Sequence, residues 1–152
     1  MTETTRWFED FTEGEVISLG ARTVSRDEIV AFARLWDPQP MHLDDAGGDA
    51  SLLAGLSASG WHTGCVLMRL FVDNLLEGSA SLGSPGIERL KWIRPVHPDD
   101  TLTATMRVVE TRTSTSRPRM GLIRGLFEVA NQSGAVVMRM ESTLMMGRRA
   151  AA

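Results

Sequence analysis

The sequence lacks the features that indicate a disulfide-bonded protein, a nucleic-acid-binding protein or a membrane protein. It contains one cysteine, Cys65, which excludes an intrachain disulfide and suits a reducing compartment. Its formal net charge is -3 and its pI about 5.6, so no basic excess favours binding to a nucleic-acid backbone. No apolar run approaches the roughly 18 residues of a transmembrane helix, and the first residues do not resemble a signal peptide. We therefore expect a cytoplasmic protein with neither nucleic acid nor membrane as a partner.

Hydrophobic residues are frequent, by contrast, at 43% of the 152 positions. This composition is typical of a globular protein, and the length suits one domain with a real core. The sequence contains no internal repeat, low-complexity tract or linker. A single domain over residues 1–152 is the prediction.

The first predicted helix has a clear start and a clear end. Ser25 is a favourable N-cap, and Glu28 three residues later completes a capping box. Pro38 is expected to end the helix. Between them, apolar residues recur at helical spacing at Ile29, Val30, Ala33 and Trp36.

A second helix is predicted to begin near Gly60 and to run for about 17 residues, or roughly 26 Å. Its polar residues Arg69, Asp73 and Glu77 recur every four positions as one narrow stripe. A helix that is apolar on all other sides is expected to be buried.

The remaining segments alternate apolar and polar residues with a period of two, which indicates strands with one buried face. Strands are predicted near residues 12–22, 87–94, 101–108, 123–129 and 136–146, with a hairpin turn at 131–134. No helical pattern separates the late strands, so they are expected to be antiparallel neighbours. The predicted fold class is α+β, an antiparallel sheet curled around one long helix. Because such a sheet has open edges, we expect a homodimer or a higher homo-oligomer.

The segment WDPQPMHLDD places an acid and a histidine on a backbone stiffened by two prolines. Asp37 and His42 are therefore the candidate catalytic pair, because a carboxylate and an imidazole that converge can hold a water molecule and remove its proton. The alternative is that both are surface residues at the end of one helix and the start of the next turn.

The segment GLSASGWHTG brings small residues directly into the start of the long helix. The N–H groups of such a helix terminus are unpaired and can stabilise a carbonyl oxygen that becomes negative. Gly60 would let that carbonyl approach the backbone closely. The alternative is that these glycines only allow tight packing of the helix against the sheet.

Three segments, FARLWDPQPMHLDD, SASGWHTG and ERLKWIRPVHPDDTL, together resemble the MaoC-like dehydratases, whose best-known activity is (R)-specific enoyl-CoA hydration. The resemblance covers about residues 12 to 146. The positions that match the family motif in order are Asp37, Pro40, His42, Asp44, Gly60, Pro95, Pro98 and Asp100.

The resemblance implies a hot-dog fold and a homodimer with acyl-CoA sites between subunits. It implies that Asp37 and His42 activate the water that adds to, or leaves, Cβ of a trans-2-enoyl-CoA, and that the Gly60 N–H binds the thioester oxygen. No metal or redox cofactor is implied, since coenzyme A is part of the substrate.

The sequence departs from the family pattern at three places, all of which bear on the acyl substrate. Gln39 stands where the family usually has asparagine. Leu67-Met68-Arg69 occupies the helix position where some hydratases carry a serine. Ser57-Ala58-Ser59 replaces a small-residue run that usually ends in histidine, and His62 follows Gly60 instead.

Other residues are weaker candidates. Trp61, His62 and Arg94 are candidate substrate-binding residues, with Arg94 suited to the phosphates of coenzyme A. Local packing of His62 and ordinary exposure of the strand before Arg94 are the alternatives. A cysteine nucleophile at Cys65 is disfavoured, because Cys65 lies in an apolar run with no orienting acid near it in the sequence. A metal site is disfavoured because the spacing of its candidate ligands matches no known pattern; these are His42, Asp44, Asp45 and His62.

The functional prediction is a hydratase or dehydratase acting on an enoyl-CoA or 3-hydroxyacyl-CoA thioester. Two alternatives on the same scaffold are an acyl-CoA thioesterase and a non-catalytic acyl-CoA-binding protein. The sequence leaves open the acyl chain length and branching, the pathway and the natural direction of the reaction.

Overall fold

The structure is a computed structural model that describes residues 3–150. Within this range, strands β1 to β6 span Val16–Thr23, Ser81–Gly83, Ile87–Trp92, Thr101–Thr113, Met120–Ala130 and Val136–Gly147. Helices α1 to α3 span Arg26–Trp36, Asp45–Asp49 and Gly60–Phe71, and short 3₁₀ turns cover Phe8–Asp10 and Pro40–His42. None of the helices in this part of the chain is long and apolar enough to cross a bilayer.

The strands form one sheet in the order β1-β4-β5-β6-β2, and β3 also pairs with β6. Every strand pairing in this sheet is antiparallel, as the absence of helical patterns between the late strands predicted. β2 and β3 lie along successive parts of the same side of β6. One edge of the sheet is therefore β1 and the other is made of β2 and β3. The three-residue β2 was missed because Ser81-Leu82-Gly83 is too short to show a period.

The buried face of the sheet holds the core. Leu102, Ala104, Met106 and Val108 alternate along β4, and all four are completely buried. Phe71 of α3 meets Phe127 of β5 edge to face, with ring centroids 5.0 Å apart. The sheet therefore wraps α3, which is the hot-dog fold, and both the α+β and the hot-dog predictions are confirmed.

The central helix starts at Gly60 as predicted, but its last turn is not α-helical. After Phe71 the chain continues as a π-helical turn over Val72–Leu76. In this turn the Asn74 amide donates to the carbonyls of Leu70, at 2.9 Å, and Leu19, at 2.7 Å. The second bond ties the end of the helix to β1, next to a bulge where Gly20 has φ +84° and packs against the Asn74 side chain.

Helix α1 matches its predicted bounds. The Ser25 hydroxyl accepts from the Glu28 N–H, and the Glu28 carboxylate accepts from the Ser25 N–H, so the capping box is formed. The helix ends at Trp36, two residues before Pro38, and this end positions the first functional side chain.

Candidate active site

Asp37 and His42 are held by two consecutive local structures. Asp37 is the C-cap of α1, and its N–H donates to the Ala33 carbonyl at 2.9 Å. His42 ends the 3₁₀ turn that begins at Pro40, and its N–H donates to the Gln39 carbonyl at 3.0 Å. Because Pro40 fixes φ at the first position of that turn, the five-residue step from acid to imidazole is short and stiff.

The two side chains face each other at the edge of the interior. His42 Nε2 lies 3.4 Å from Asp37 Oδ2, and the side chains are 8% and 17% exposed, respectively. This distance exceeds the usual 2.7–3.2 Å of a direct N–H···O hydrogen bond. One water molecule can contact both atoms, so the pair is suited to sharing a proton through water.

The tautomer of His42 is set by its other ring nitrogen. Nδ1 lies 2.6 Å from the backbone carbonyl oxygen of Ser57. Since a carbonyl can only accept, Nδ1 carries the hydrogen and donates it. In the neutral ring, Nε2 is then the basic nitrogen and faces Asp37.

The Asp37 carboxylate has a donor on each oxygen. Ser59 Oγ donates to Oδ2 at 2.6 Å, and the Gln39 amide donates to Oδ1 at 2.7 Å. The Ser59 hydrogen bond lowers the pKa of Asp37 most; the Gln39 bond and the nearby His42 lower it further against the opposing effect of burial. Asp37 is therefore a carboxylate at neutral pH and available as a base.

The start of α3 lies beside this pair. Ser59 is the N-cap and Gly60 the first residue of the helix, so the Gly60 N–H precedes the helical hydrogen-bond ladder. The Trp92 indole packs directly on Gly60: a Cβ there would lie 2.4 Å from a ring atom, and Trp92 Nε1 donates to the Gly60 carbonyl at 2.9 Å. Only glycine fits under this ring.

These groups open into one cavity of about 370 Å³. Its lining includes Asp37, His42, Gly60, Trp61 and Arg94. A carboxylate, an imidazole and a helix N-terminus thus meet in a space large enough for a small acyl group. This combination suits proton transfer to or from a carbonyl compound.

A family model described as "MaoC like domain" matches residues 10–130. The chain belongs to the MaoC-like domain family. It is 34% identical to a MaoC-like dehydratase from Rhodospirillum rubrum, with a TM-score of 0.87 over 97% of this chain and 100% of that one. It is 28% identical to the uncharacterized protein YdeM of Bacillus subtilis (strain 168), over 92% of this chain and 98% of that protein. An R-hydratase from Pseudomonas aeruginosa has the same fold at 22% identity, with a TM-score of 0.75 over 94% of this chain and 86% of that one. The resemblance that the motifs indicated is confirmed.

Five of the six predicted site residues of this MaoC-like chain line one cavity, and His62 does not. His62 stacks on Phe32 of α1, with ring centroids 4.8 Å apart and planes 8° from parallel. Two helical positions turn a side chain by about 200° around the axis, so His62 leaves α3 on the side opposite Gly60. Its prediction as a substrate-binding residue is corrected to a buried packing role.

The buried His62 ring is under-satisfied. Its Nδ1 has no hydrogen-bond partner among the residues that the structure describes. Burial lowers the pKa of His62, and the nearby Arg22 lowers it further, while Glu28 acts in the opposite direction. His62 is therefore neutral at pH 7.

Three residues near the acid–base pair were missed or undervalued by sequence reasoning. Ser59 belongs to a run of small residues in the sequence, and its place before a helical pattern is the usual N-cap signal. Trp92 lies on β3, more than thirty positions from Gly60, so no local signal joins the two. Gln39 was noted for its departure from asparagine, but its bond to Asp37 depends on the fold of the turn.

Arg94 lines the cavity and is exposed to solvent. Its Nη1 donates to the Val136 carbonyl at 2.6 Å, which anchors the arginine to the start of β6. Asp44 matches the motif, but its role is structural. Its carboxylate accepts a hydrogen bond from the Gly47 N–H and caps α2. Within residues 3–150, no three His, Cys, Asp or Glu side chains are grouped so that they could hold a metal ion.

A second cavity of about 390 Å³ runs along the exposed side of α3. Most of its lining is apolar and comes from α3, β3 and β6, including Cys65, Met68, Leu90 and Met140. Trp61 lines both cavities, so the apolar cavity begins where the polar one ends.

Proposed function

We propose that this MaoC-like protein catalyses the reversible hydration of a trans-2-enoyl-CoA to a 3-hydroxyacyl-CoA. The observation that carries the proposal is the convergence of Asp37 Oδ2 and His42 Nε2, 3.4 Å apart, beside the Gly60 N–H in one cavity. A relative described as a MaoC-like dehydratase and a fold neighbour described as an R-hydratase support the reaction class.

In the hydration direction, water held between Asp37 and His42 loses a proton to the carboxylate while its oxygen bonds to C3 of the enoyl thioester. The electrons of the C2–C3 double bond move toward the thioester carbonyl and give an enolate. The Gly60 N–H donates to the enolate oxygen, and a proton from the acid–base pair is then delivered to C2. One water is added in total, and the same steps in reverse remove it.

The two polar residues have different parts in this reaction. Asp37, ionised at neutral pH, is the main base. His42 carries its fixed hydrogen on Nδ1 toward Ser57 and presents Nε2 to the water, so it is the partner in proton transfer. Groups of this kind contribute about 10²- to 10⁴-fold to a rate, and one oxyanion donor about 2.7–4 kcal/mol.

The acyl chain is assigned to the apolar cavity along α3. It begins at Trp61, next to the acid–base pair, and its apolar lining matches a hydrocarbon chain. Arg94, which lines the polar cavity and is exposed, is assigned to the phosphates of coenzyme A. Met68, within the Leu67-Met68-Arg69 segment that stands where some hydratases have a serine, adds apolar surface to this cavity.

A homodimer is part of the proposal. The outer edge of β3 has no strand partner within the described chain, and five of the six β3 residues are exposed. Unpaired edges of this kind are normally covered in native proteins. A second copy at this edge would lie beside the mouth of both cavities.

The decisive experiment is a screen of crotonyl-, octenoyl-, methylated and carboxylated enoyl-CoA esters. Turnover is measured as the loss of the absorbance of the enoyl thioester. We expect turnover with at least one ester and a drop of about 10²- to 10⁴-fold in kcat/KM for Asp37→Asn and for His42→Ala. Asp49→Asn is the matched control, since Asp49 is exposed and lies in the same segment outside the cavity.

Product analysis separates this function from its alternatives. Release of free thiol from the esters identifies a thioesterase. Binding of the esters without turnover by the wild-type protein identifies an acyl-CoA-binding protein. Equal rates for wild type and Asp37→Asn remove Asp37 as the base.

A further inference from the structure

The Ser59 side chain joins the acid–base pair to the central helix. Ser59 is completely buried, and its Oγ donates to Asp37 Oδ2 at 2.6 Å. The same oxygen accepts from the Trp61 N–H at 3.3 Å. One hydroxyl thus contacts the carboxylate at the end of α1 and the first turn of α3.

We propose that Ser59 is a positioning residue, which orients the Asp37 carboxylate and fixes its distance from the Gly60 N–H. The proposal rests on the proposed function, in which Asp37 is the base and the Gly60 N–H donates to the thioester oxygen. The hydroxyl has one hydrogen to donate and gives it to Asp37, while its lone pair receives the Trp61 N–H. The two bonds do not compete.

A comparison of the helix caps separates this role from ordinary capping. Ser25 caps α1 with a bond of 3.1 Å from Glu28 N, and Asp44 caps α2 with a bond of 2.7 Å from Gly47 N. The capping bond of Ser59 is longer, at 3.3 Å. Its short bond is the one to Asp37, within the 2.5–2.7 Å of a charge-assisted O–H···O⁻ hydrogen bond.

The other donor to Asp37 is less able to fix the carboxylate. Gln39 is exposed and reaches Oδ1 through a flexible side chain. Ser59 is buried and sits on Oδ2, the oxygen that faces His42 Nε2. Loss of the Ser59 hydroxyl would therefore free the carboxylate to rotate away from His42.

The test is the pH profile of kcat/KM for Ser59→Ala. We expect a roughly 10- to 100-fold lower kcat/KM, the effect of losing a hydrogen bond to a charged group. We also expect the acid limb to move to higher pH, because without this donor the carboxylate holds its proton more tightly. His42 is the titratable group that faces Asp37, so the Asp37 titration is also followed directly by the NMR signal of its labelled carboxyl carbon.

Ser25→Ala is the matched control, since it removes a helix cap without touching Asp37. It should move neither the acid limb nor the Asp37 carboxyl titration. If Ser59→Ala does not fold, Ser59→Cys keeps the size of the side chain with a weaker donor, and a smaller shift in the same direction is expected.

An unmoved acid limb and an unmoved Asp37 titration in a folded Ser59→Ala protein would overturn the proposal and leave Ser59 as a cap. The carboxyl titration needs no turnover, so the failure of the hydratase proposal is separable. If only the hydratase proposal fails, the wild-type protein converts no ester, while the titration of Asp37 still moves in Ser59→Ala.

Discussion

At the scale of single residues, each polar group of the site has a partner that fixes its protonation state. The Ser57 carbonyl sets the tautomer of His42, and Ser59 with Gln39 keeps Asp37 ionised. His62 has no such partner on Nδ1 among the described residues, and burial is the main cause that lowers its pKa and keeps it neutral. The two histidines, twenty positions apart, therefore differ in their surroundings: a hydrogen bond fixes the tautomer of His42, whereas burial lowers the pKa of His62.

His62 makes the stability of the protein depend on pH. Its pKa in the folded state is below the ordinary 6.5, so below about pH 6.5 the unfolded chain binds a proton that the folded protein does not. The free energy of unfolding is therefore expected to fall as the pH decreases from about 6.5 toward the folded pKa. In His62→Phe, which keeps a ring against Phe32, this fall should be smaller. Urea denaturation of both proteins at pH 7.5 and pH 5.5 measures it, and an equal fall in both would contradict the explanation.

Asp37 and His42 could be selected from the sequence because the intervening backbone is rigid. With proline at two of the four positions between them, the spacing leaves few conformations. His62 is close to Gly60 in the sequence but lies on another side of the helix, where it stacks on Phe32 and does not line the cavity. Trp92 could not be found at all, because its contact with Gly60 depends on where β3 lies in the sheet.

At the scale of elements, α3 does more than fill the core. Its first turn supplies the Gly60 N–H, one side is buried by the sheet, and another side lines the apolar cavity. The apolar composition predicted its length correctly when the π-helical turn is included, but the predicted burial holds for only one side, since Trp61, Cys65 and Met68 are exposed. The π-helical end was not predictable, because it coincides with the contact between Asn74 and the bulge of β1, which are far apart in sequence.

Two glycines of α3 are expected to respond oppositely to alanine. A Cβ at Gly64 would meet no atom within 4 Å, so Gly64→Ala should raise the free energy of unfolding by about 0.5–1 kcal/mol through helix propensity. A Cβ at Gly60 would overlap the Trp92 indole, so Gly60→Ala should lower it by about 1–3 kcal/mol. Urea unfolding curves of the two variants provide the comparison. Similar changes in both would mean that Trp92 moves aside easily.

The alkylation rate of Cys65 can report whether an acyl chain occupies the apolar cavity. Cys65 is exposed on α3, it lines this cavity, and it is the single cysteine of the sequence. If the acyl chain binds there, a long-chain acyl-CoA should slow alkylation of Cys65 by iodoacetamide, whereas coenzyme A alone should not. Mass spectrometry of the alkylated fraction over time measures both rates. Equal slowing by the two ligands would place the acyl chain elsewhere.

At the scale of the whole molecule, the two edges of the sheet are unlike. β1 contains the buried Leu19, whose carbonyl accepts from Asn74 of the π-helical turn, whereas β3 has no buried residue and five of its six residues are exposed. The apolar cavity also opens beside β3. The alternation predicted strands, and the absence of helical patterns between them predicted an antiparallel sheet with open edges. The strand order, which makes β2 and β3 the second edge, depends on contacts that the sequence does not show.

A dimer through β3 predicts a mass of about twice 16.7 kDa in solution. Ile87 is exposed at the start of β3, and a charge there would be costly at a paired edge. Ile87→Glu is therefore expected to shift the protein toward monomer in size-exclusion chromatography with light scattering. Leu35→Glu is the matched control, since Leu35 is exposed on α1, away from β3. Dissociation by the control and not by Ile87→Glu would assign the interface to another surface.

The chain leaves the site after His42 and returns to it at Ser57, where a 2.6 Å hydrogen bond from His42 Nδ1 to the Ser57 carbonyl joins the two ends of this segment. Within the segment, the Leu52 side chain lies fully in solvent. The two ends of this segment are held by contacts of the site, whereas these contacts do not constrain its length. Insertions near Leu52 therefore offer a route by which evolution, or a protein engineer, can add new substrate contacts without displacing the acid–base pair.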